Sequence, residues 1–508
     1  LKWGARLCFW RHPPQTMCMA RFSMWMEAGL PDNPTLTRSN APRPKVGIVH
    51  LGPGAFFRAF NAPFTAEAMA QSGGNWGILT VSLRSPDIRD NLKPQGCAYT
   101  SVTLAPEGAK YAVIEAIDDI LVAPENPRAV LDAMADPSVK IVSLTVTEKG
   151  YCYNPATGGL LLGHPDIAHD LAHPDAPKSA IGYIVYALNK RRLAGIAPFT
   201  VMPCDNLPNN GPLTRTVVLD FARAFDADLA DWIAAHCRFP ATMVDRITPA
   251  TTQADIDALA AVQGYVDNAC VMHEPFRQWV IADDFVNGDR PDWGAVGAQL
   301  VSDVEPFELM KLRCLNGTHS ALAYLGYLAG YETISETVAD TAFAQFINGL
   351  WANEIIPTLP QPEGEDLPRY AANLLTRYQN PAIRHRTWQI AMDGSQKLPQ
   401  RLLGTVADNL KAGRDIAGLA LAVAGWMRYV GGVDENGAPI DVKDPLAAQL
   451  RAAYDSAETP DGKVEALLAM RDVFTADLAE NPIFRAAVTA AFTQISTTGA
   501  RAAVTGMI

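Results

Sequence analysis

The segment Glu308–His319, ELMKLRCLNGTH, carries a lysine, an amide and an imidazole close together. On an α-helix, at about 100° per residue, Asn316 lies roughly 140° from Lys311, and His319 lies roughly 80° from it, between the two. Lys311, Asn316 and His319 therefore share one face. A lysine whose pKa is lowered by burial from its ordinary ~10.4 can act as a general base beside a carbonyl or alcohol carbon. An asparagine amide can donate to an oxyanion there. A solvated lysine above a satisfied core histidine accounts for the same spacing. Asn206 is a second amide of interest: Thr200–Asn206, TVMPCDN, places it just past the end of a strand-like run. Open α/β sheets bind ligands at that end, though a loop cap explains one asparagine equally well. Asp245, in MVDRITP, is similar, with a buried pair to Arg246 as the alternative. His164, His169 and His173 lack a carboxylate or cysteine complement, so no metal site is expected. Cys314 falls on the side of the helix away from His319 and reads as a buried inert thiol.

Elements must bring these groups together. Val46–Leu51 is an apolar run that meets Gly52-Pro53-Gly54 at once, a helical pattern follows over Phe57–Gln71, and Gly77–Leu83 is the next strand. This is the spacing of a βαβ unit, with backbone N–H groups of the turn free to approach a pyrophosphate. Phe57 stands where a GxGxxG pattern has its third glycine, so a purely structural turn fits as well. Arg58 adds a cation that could meet phosphate. After the second strand the chain reads Leu83-Arg84-Ser85-Pro86-Asp87, with no acidic residue at the ribose position. NADP thus stands open beside NAD, since an arginine there suits a 2′-phosphate.

Lys140–Thr147 and Phe199–Met202 are further strands, with helices over Pro127–Met134 and Ala180–Ala194, the latter amphipathic. Strands alternating with helices imply a parallel sheet. Past Asp292 the pattern turns helical, over Phe307–Tyr324, Thr341–Ile355, Pro368–Tyr378, Asp415–Tyr429 and Val464–Leu478. The expected fold is an α/β, Rossmann-type N-terminal domain over 45–292, followed by a mostly α-helical C-terminal domain over 293–508. Residues 1–44, basic and tryptophan-rich at first and proline-rich later, are expected to be an extension and linker outside the fold.

Composition narrows the function classes. With 42 basic against 54 acidic residues the net charge is −12, and no long basic stripe offers a nucleic-acid surface. The longest apolar run, Ile416–Met427, falls short of the ~18–20 residues of a membrane span. The 8 cysteines are scattered without CxxC pairs, which reads as reduced thiols in a cytoplasmic protein.

Six blocks resemble the long-chain polyol dehydrogenases, the mannitol dehydrogenase family: IVHLGPGAFFRA from Ile48, SLTVTEKGY from Ser143, CDNLPNNG from Cys204, FPATMVDRITP from Phe239, EPFRQWVIADDF from Glu274, and KLRCLNGTHSALAYLGYLAGY from Lys311. The resemblance implies an enzyme that moves a hydride between a nicotinamide and a secondary alcohol without a metal. It implies Lys311 as general base, Asn206 and Asn316 as the amide pair holding the reacting oxygen, His319 as a substrate-positioning group and Glu308 as a proton-relay carboxylate. Asp245 and Lys397 fall at substrate-binding positions. Gly52, Gly54, Ala55, Phe56, Arg58 and Thr147 fall on the cofactor side, with NAD expected and NADP the alternative. Where the family has histidines in its GAFHRAH turn, this chain has Phe57 and Phe60.

The stretch Arg384–Gln400, RHRTWQIAMDGSQKLPQ, is most similar to the fructuronate reductases of the family. Mannitol-type members carry an arginine where Gln389 stands, so Arg384 and Arg386 are expected to meet a substrate carboxylate, or else to be solvated surface residues. The expected substrate is thus a sugar acid such as fructuronate, reduced to mannonate. A fructose/mannitol enzyme is the alternative, and a catalytically inactive sugar or nucleotide sensor is a third reading. The resemblance also suggests a monomer or weak oligomer.

Overall fold

The computed structural model describes residues 33–155 and 157–508. Its strands, in chain order, are β1 Val46–Leu51, β2 Gly77–Ser82, β3 Tyr99–Ala105, β4 Gly108–Ile114, β5 Ile117–Val122, β6 Ile141–Leu144, β7 Thr200–Pro203, β8 Thr242–Asp245, β9 Val271–His273, β10 Gln278–Ala282 and β11 Gln299–Val301. β1, β2, β6 and β7, the four strands expected from the sequence, form one sheet with a fifth, β5, in the order β5-β2-β1-β6-β7. Every neighbouring pair in it is parallel. A parallel sheet is covered on both faces, which is why β1, β6 and β7 are almost wholly apolar and buried. The winding reverses between β1 and β6, the doubly wound dinucleotide-binding order, and that crevice is where such sheets take a ligand.

The helix Ala180–Leu193 shows how the layers close. Ser179 caps it by accepting from the Gly182 amide, and Lys190, Arg191 and Arg192 occupy its last turn, where the dipole favours cations. It was expected to be amphipathic, yet Ala180–Leu188 is buried on every side. It packs against the helices Pro127–Ala135 and Asn210–Phe225. The helical pattern of 57–71 is two helices, Ala55–Ala59 and Asn61–Ser72, broken at Phe60 by φ −130° and ψ −75°.

Two smaller sheets flank the first. In one, β8 pairs antiparallel with β10, and β10 pairs parallel with β11, so strand structure continues to Val301. In the other, β3 pairs with β4 and β9. Helices follow from Glu305–Met310 to Ala500–Thr505. Their core runs without a break into Met243 of β8 and Val280 of β10. The long apolar run becomes the helix Ala417–Tyr429, buried from Gly418 to Met427, at the centre of this core. No helix among the described residues is long and apolar enough to cross a membrane.

The expectation that residues 1–44 stand outside the fold needs correction for those described. Thr35 forms a parallel bridge with Val266, and Leu36 is 6% exposed. The Arg38 guanidinium donates to Ile117 O at 2.6 Å and Glu115 O at 2.5 Å. Burial of one leucine and the capping of open carbonyls tie this segment down, which its proline content concealed. The stretch 1–32 lies outside the described residues.

Candidate active site

The glycine turn is built for close approach. Gly52 has φ +94°, and a Cβ there would lie 2.2 Å from Thr145 O, so both conformation and space require glycine. Its carbonyl accepts from Thr145 Oγ1 at 2.6 Å, and the Pro53 carbonyl accepts from Arg58 Nη1 at 2.5 Å. Both carbonyls are thus drawn inward. Gly54 is open, with nothing but Gly52 O near a would-be Cβ, at 4.0 Å. The helix Ala55–Ala59 has no side-chain N-cap, which leaves its first N–H groups for an incoming acceptor. Ala55 and Phe56 are half-buried at this edge. Arg58, expected to meet phosphate, is instead buried and braces the turn from beneath, its guanidinium donating to the Pro53 carbonyl. Phe57 stacks on His50 at 3.7 Å, and Phe60 packs against Phe56, Phe64 and Trp279. Arg84 is on the surface, 84% exposed, 3.8 Å from Asp166.

Across the crevice, the loop after β6 is held under strain. Thr147 has φ +67°, a value that a β-branched residue rarely adopts. Its amide donates to Asp205 Oδ1 at 2.8 Å, while Asp205 Oδ2 accepts from Val146 N at 3.0 Å and Tyr151 Oη at 2.7 Å. Asp205 is the residue before Asn206, so one carboxylate fixes both the strained loop and the amide. Nothing in the sequence marked it.

Lys311 sits where the two parts meet. Its Nζ donates to Asn206 Oδ1 at 2.7 Å and to Val244 O of β8 at 2.6 Å. Burial holds its pKa below the ordinary lysine range, with Arg377 and Arg401 pushing the same way against Asp245 and Glu308. The segment Lys311–Gly317 is a π-turn inside a continuous helix, between Glu305–Met310 and Thr318–Leu328. With i→i+5 bonding, Asn316 comes one hydrogen-bonded turn beyond Lys311 rather than about 140° away. The carbonyls released by this widening find side chains. Cys314 O accepts from Thr318 Oγ1 at 2.5 Å and Trp351 Nε1 at 2.9 Å, and Leu315 O accepts from Tyr378 Oη at 2.9 Å. Single π-turns of this kind concentrate at functional sites. Asn316 is half-buried.

Glu308 lies one turn before Lys311. Burial raises its carboxyl to about 7, its Oε2 accepts from Asn209 N at 3.1 Å, and its Oε1 is buried without a partner among the described residues. Asp245 receives both terminal nitrogens of Arg377, at 2.8 and 2.9 Å. The same guanidinium donates to Glu274 at 2.7 and 3.0 Å. All three side chains are buried. Burial opposes ionisation of Asp245, but Arg377 outweighs it and holds the group below the usual carboxylate range. Asp245 is therefore a clamped charge beside Lys311, not a free carboxylate, and its partner is Arg377 rather than the adjacent Arg246.

His319 is buried, 4.6 Å from the Tyr378 ring and edge-on to His385 at 4.9 Å. Burial keeps it neutral, with its pKa well below the ordinary value. Lys397 Nζ donates to Met392 O at 2.6 Å, and burial lowers its pKa to about 8. Arg384 and Arg386, expected at the substrate, face solvent, with side chains 71% and 44% exposed and Glu332 as their nearest carboxylate at 4.0 and 3.7 Å. The bridge of Thr333 to Arg386 fixes this outward direction. Arg377 and Arg401 are the arginines that reach the site instead. His169 and His173 stack on each other, remote in role from these groups.

Comparison with known proteins shows the family. Residues 46–295 match the Mannitol dehydrogenase Rossmann domain, and 303–496 match the Mannitol dehydrogenase C-terminal domain. The chain is 50% identical over 468 residues to D-mannonate oxidoreductase of Escherichia coli strain K12, covering 91% of this chain and 95% of that protein. It is 39% identical over 466 residues to mannitol 2-dehydrogenase of Phaeosphaeria nodorum, covering 91% and 81%. Among solved structures, Pseudomonas fluorescens mannitol 2-dehydrogenase in a ternary complex with NAD and D-mannitol matches with a TM-score of 0.82 and 38% identity, over 94% of this chain and 97% of that one.

Proposed function

We propose a substrate and a mechanism for this chain, which belongs to the mannitol dehydrogenase family and is an oxidoreductase acting on secondary alcohols. The cofactor is NAD, consistent with the Rossmann-type sheet and with the related NAD complex. The open Gly54, the uncapped helix start and the crevice between β1 and β6 suit its pyrophosphate. When bound, the nicotinamide supplies the hydride or accepts it.

The rest falls to the chain's own side chains, and one observation carries the mechanism: a buried lysine with two acceptors. In its neutral form the Lys311 amine has two N–H bonds, and Asn206 Oδ1 and Val244 O account for both. The lone pair takes the remaining tetrahedral position and can remove a hydroxyl proton. In the reducing direction the ammonium returns that proton to the developing alkoxide. Asn206, its oxygen committed to Lys311, turns its NH₂ group outward. Together with Asn316 it donates to the oxygen as charge builds, which fills the role of a Lewis acid. Glu308, titrating near neutrality, passes the proton between Lys311 and solvent. Neutral His319 hydrogen-bonds and orients the sugar.

The substrate best supported is a keto-sugar acid of the fructuronate/mannonate type, on the likeness to D-mannonate oxidoreductase. Fructose and mannitol are the second reading, favoured by the relatives named mannitol 2-dehydrogenase. Purified protein with NADH is assayed against fructuronate, tagaturonate and fructose. Fastest turnover is expected on fructuronate; preference for fructose rejects the acid reading, and no turnover on any of them favours a sensor.

A further inference from the structure

Arg401 lies in another π-turn, Pro399–Leu403, which packs against Lys311–Gly317. The approach is close: a Cβ on Gly317 would lie 2.8 Å from Arg401 O. From there the guanidinium reaches over the catalytic helix, and its Nη1 donates to Ser320 Oγ, next to His319, at 3.3 Å. That long bond is the one hydrogen bond of its side chain among the described residues, and it has no ion pair there. Its field acts on Lys311, His319, His385 and Lys397 together. Lys397 is likewise without an ion pair among the described residues, its ammonium resting on the carbonyls of Met392 and Ile390. The carboxylate whose charge reaches both is Glu148, an exposed residue at hydrogen-bond distance from neither. Beside them, the Tyr324 hydroxyl and His385 Nδ1 are buried without a partner among the described residues. Arg401, itself half-buried, thus lies within electrostatic reach of the buried Lys311 and the half-buried Lys397, and among the described residues no carboxylate forms an ion pair with any of the three.

Such a cluster is unstable by itself, because burial and mutual repulsion both oppose its charge. A neutral sugar would leave that cost standing. A carboxylate offsets it and matches the planar fork of a guanidinium. We propose that Arg401, with Lys397 beside it, receives the carboxylate of an anionic sugar while Lys311, Asn206 and Asn316 hold the reacting oxygen. This rests on the keto-acid reading above. It transfers to Arg401 the role that the sequence suggested for Arg384 and Arg386, and it makes this one side chain the selector of acids over neutral ketoses.

The test is steady-state reduction of fructuronate and of fructose by NADH, with wild type, Arg401→Gln and Arg401→Lys. Arg401→Gln is expected to lower kcat/KM on fructuronate by roughly 100-fold or more, mainly through KM, and to cut the acid-to-ketose preference by a similar factor. Arg401→Lys, which keeps the charge and loses the fork, is expected to recover part of it. NADH fluorescence titration and thermal melting show that each variant is folded; if Arg401→Gln is not, Arg401→Lys decides. An acid preference unchanged in the folded variants overturns this assignment and leaves the keto-acid reading intact. A wild type that prefers fructose overturns both.

Discussion

At the scale of single residues, Lys311 carries the largest expectation. Lys311→Ala should lower turnover by about 10²–10⁴-fold while NADH still binds, measured by steady-state rates and fluorescence titration. A loss of only a few fold would place the base elsewhere. The pH profile follows from the burial of Lys311 and Glu308. Lys311 titrates below the ordinary lysine range, so alcohol oxidation rises with pH earlier than a solvated amine allows, while carbonyl reduction falls over the same range. Glu308 is raised from 4.5 to about 7, so the folded state favours its protonated form. Its contribution to stability is full below about 4.5 and is lost as pH rises through about 7. Glu308→Gln should therefore gain in melting temperature relative to wild type between pH 5 and 8, estimated on the order of a few degrees, and should lose the limb of the rate profile near neutrality. The motif residues were legible because one short segment holds Lys311, Asn316 and His319. Arg377 was not, since its partners Asp245 and Glu274 lie 132 and 103 positions away and only folding unites them.

At the scale of elements, β1, β2, β6 and β7 were legible because each is a short, mostly apolar run, whereas β5 was not, since Asp118 and Asp119 interrupt its run. The sheet of β3, β4 and β9 was not: β4 is largely exposed, and β9 is only Val271–His273, so neither shows a run or a clear alternation. The π-turn was equally invisible, because one widened turn does not disturb helical periodicity enough to read. Its stability depends on distant donors. Tyr378 Oη bonds Leu315 O, and it also meets Thr318 Oγ1 at 2.8 Å. Tyr378→Phe should cost about 1–3 kcal/mol by denaturant unfolding, as a freed carbonyl is left in a dry site. It should also slow turnover, because Lys311 and Asn316 are carried on the turn. Unchanged kinetics with lowered stability would show that the widened geometry survives without this bond.

At the scale of the whole molecule, the site belongs to neither part alone. Asn206, Val244 and Asp245 come from the α/β part, and Lys311, Arg377 and Arg401 from the helices. Arg377→Met should destabilise the protein by about 3–5 kcal/mol, since Asp245 and Glu274 are left as buried unpaired charges, and a thermal or denaturant melt measures it directly. The triad also bears on motion. Swinging the two parts open would separate Arg377 from both carboxylates, breaking four hydrogen bonds at once while water returns to all three charges. Any parting of the two parts is therefore an exchange of protein partners for water around three charges, set by hydration as much as by contact.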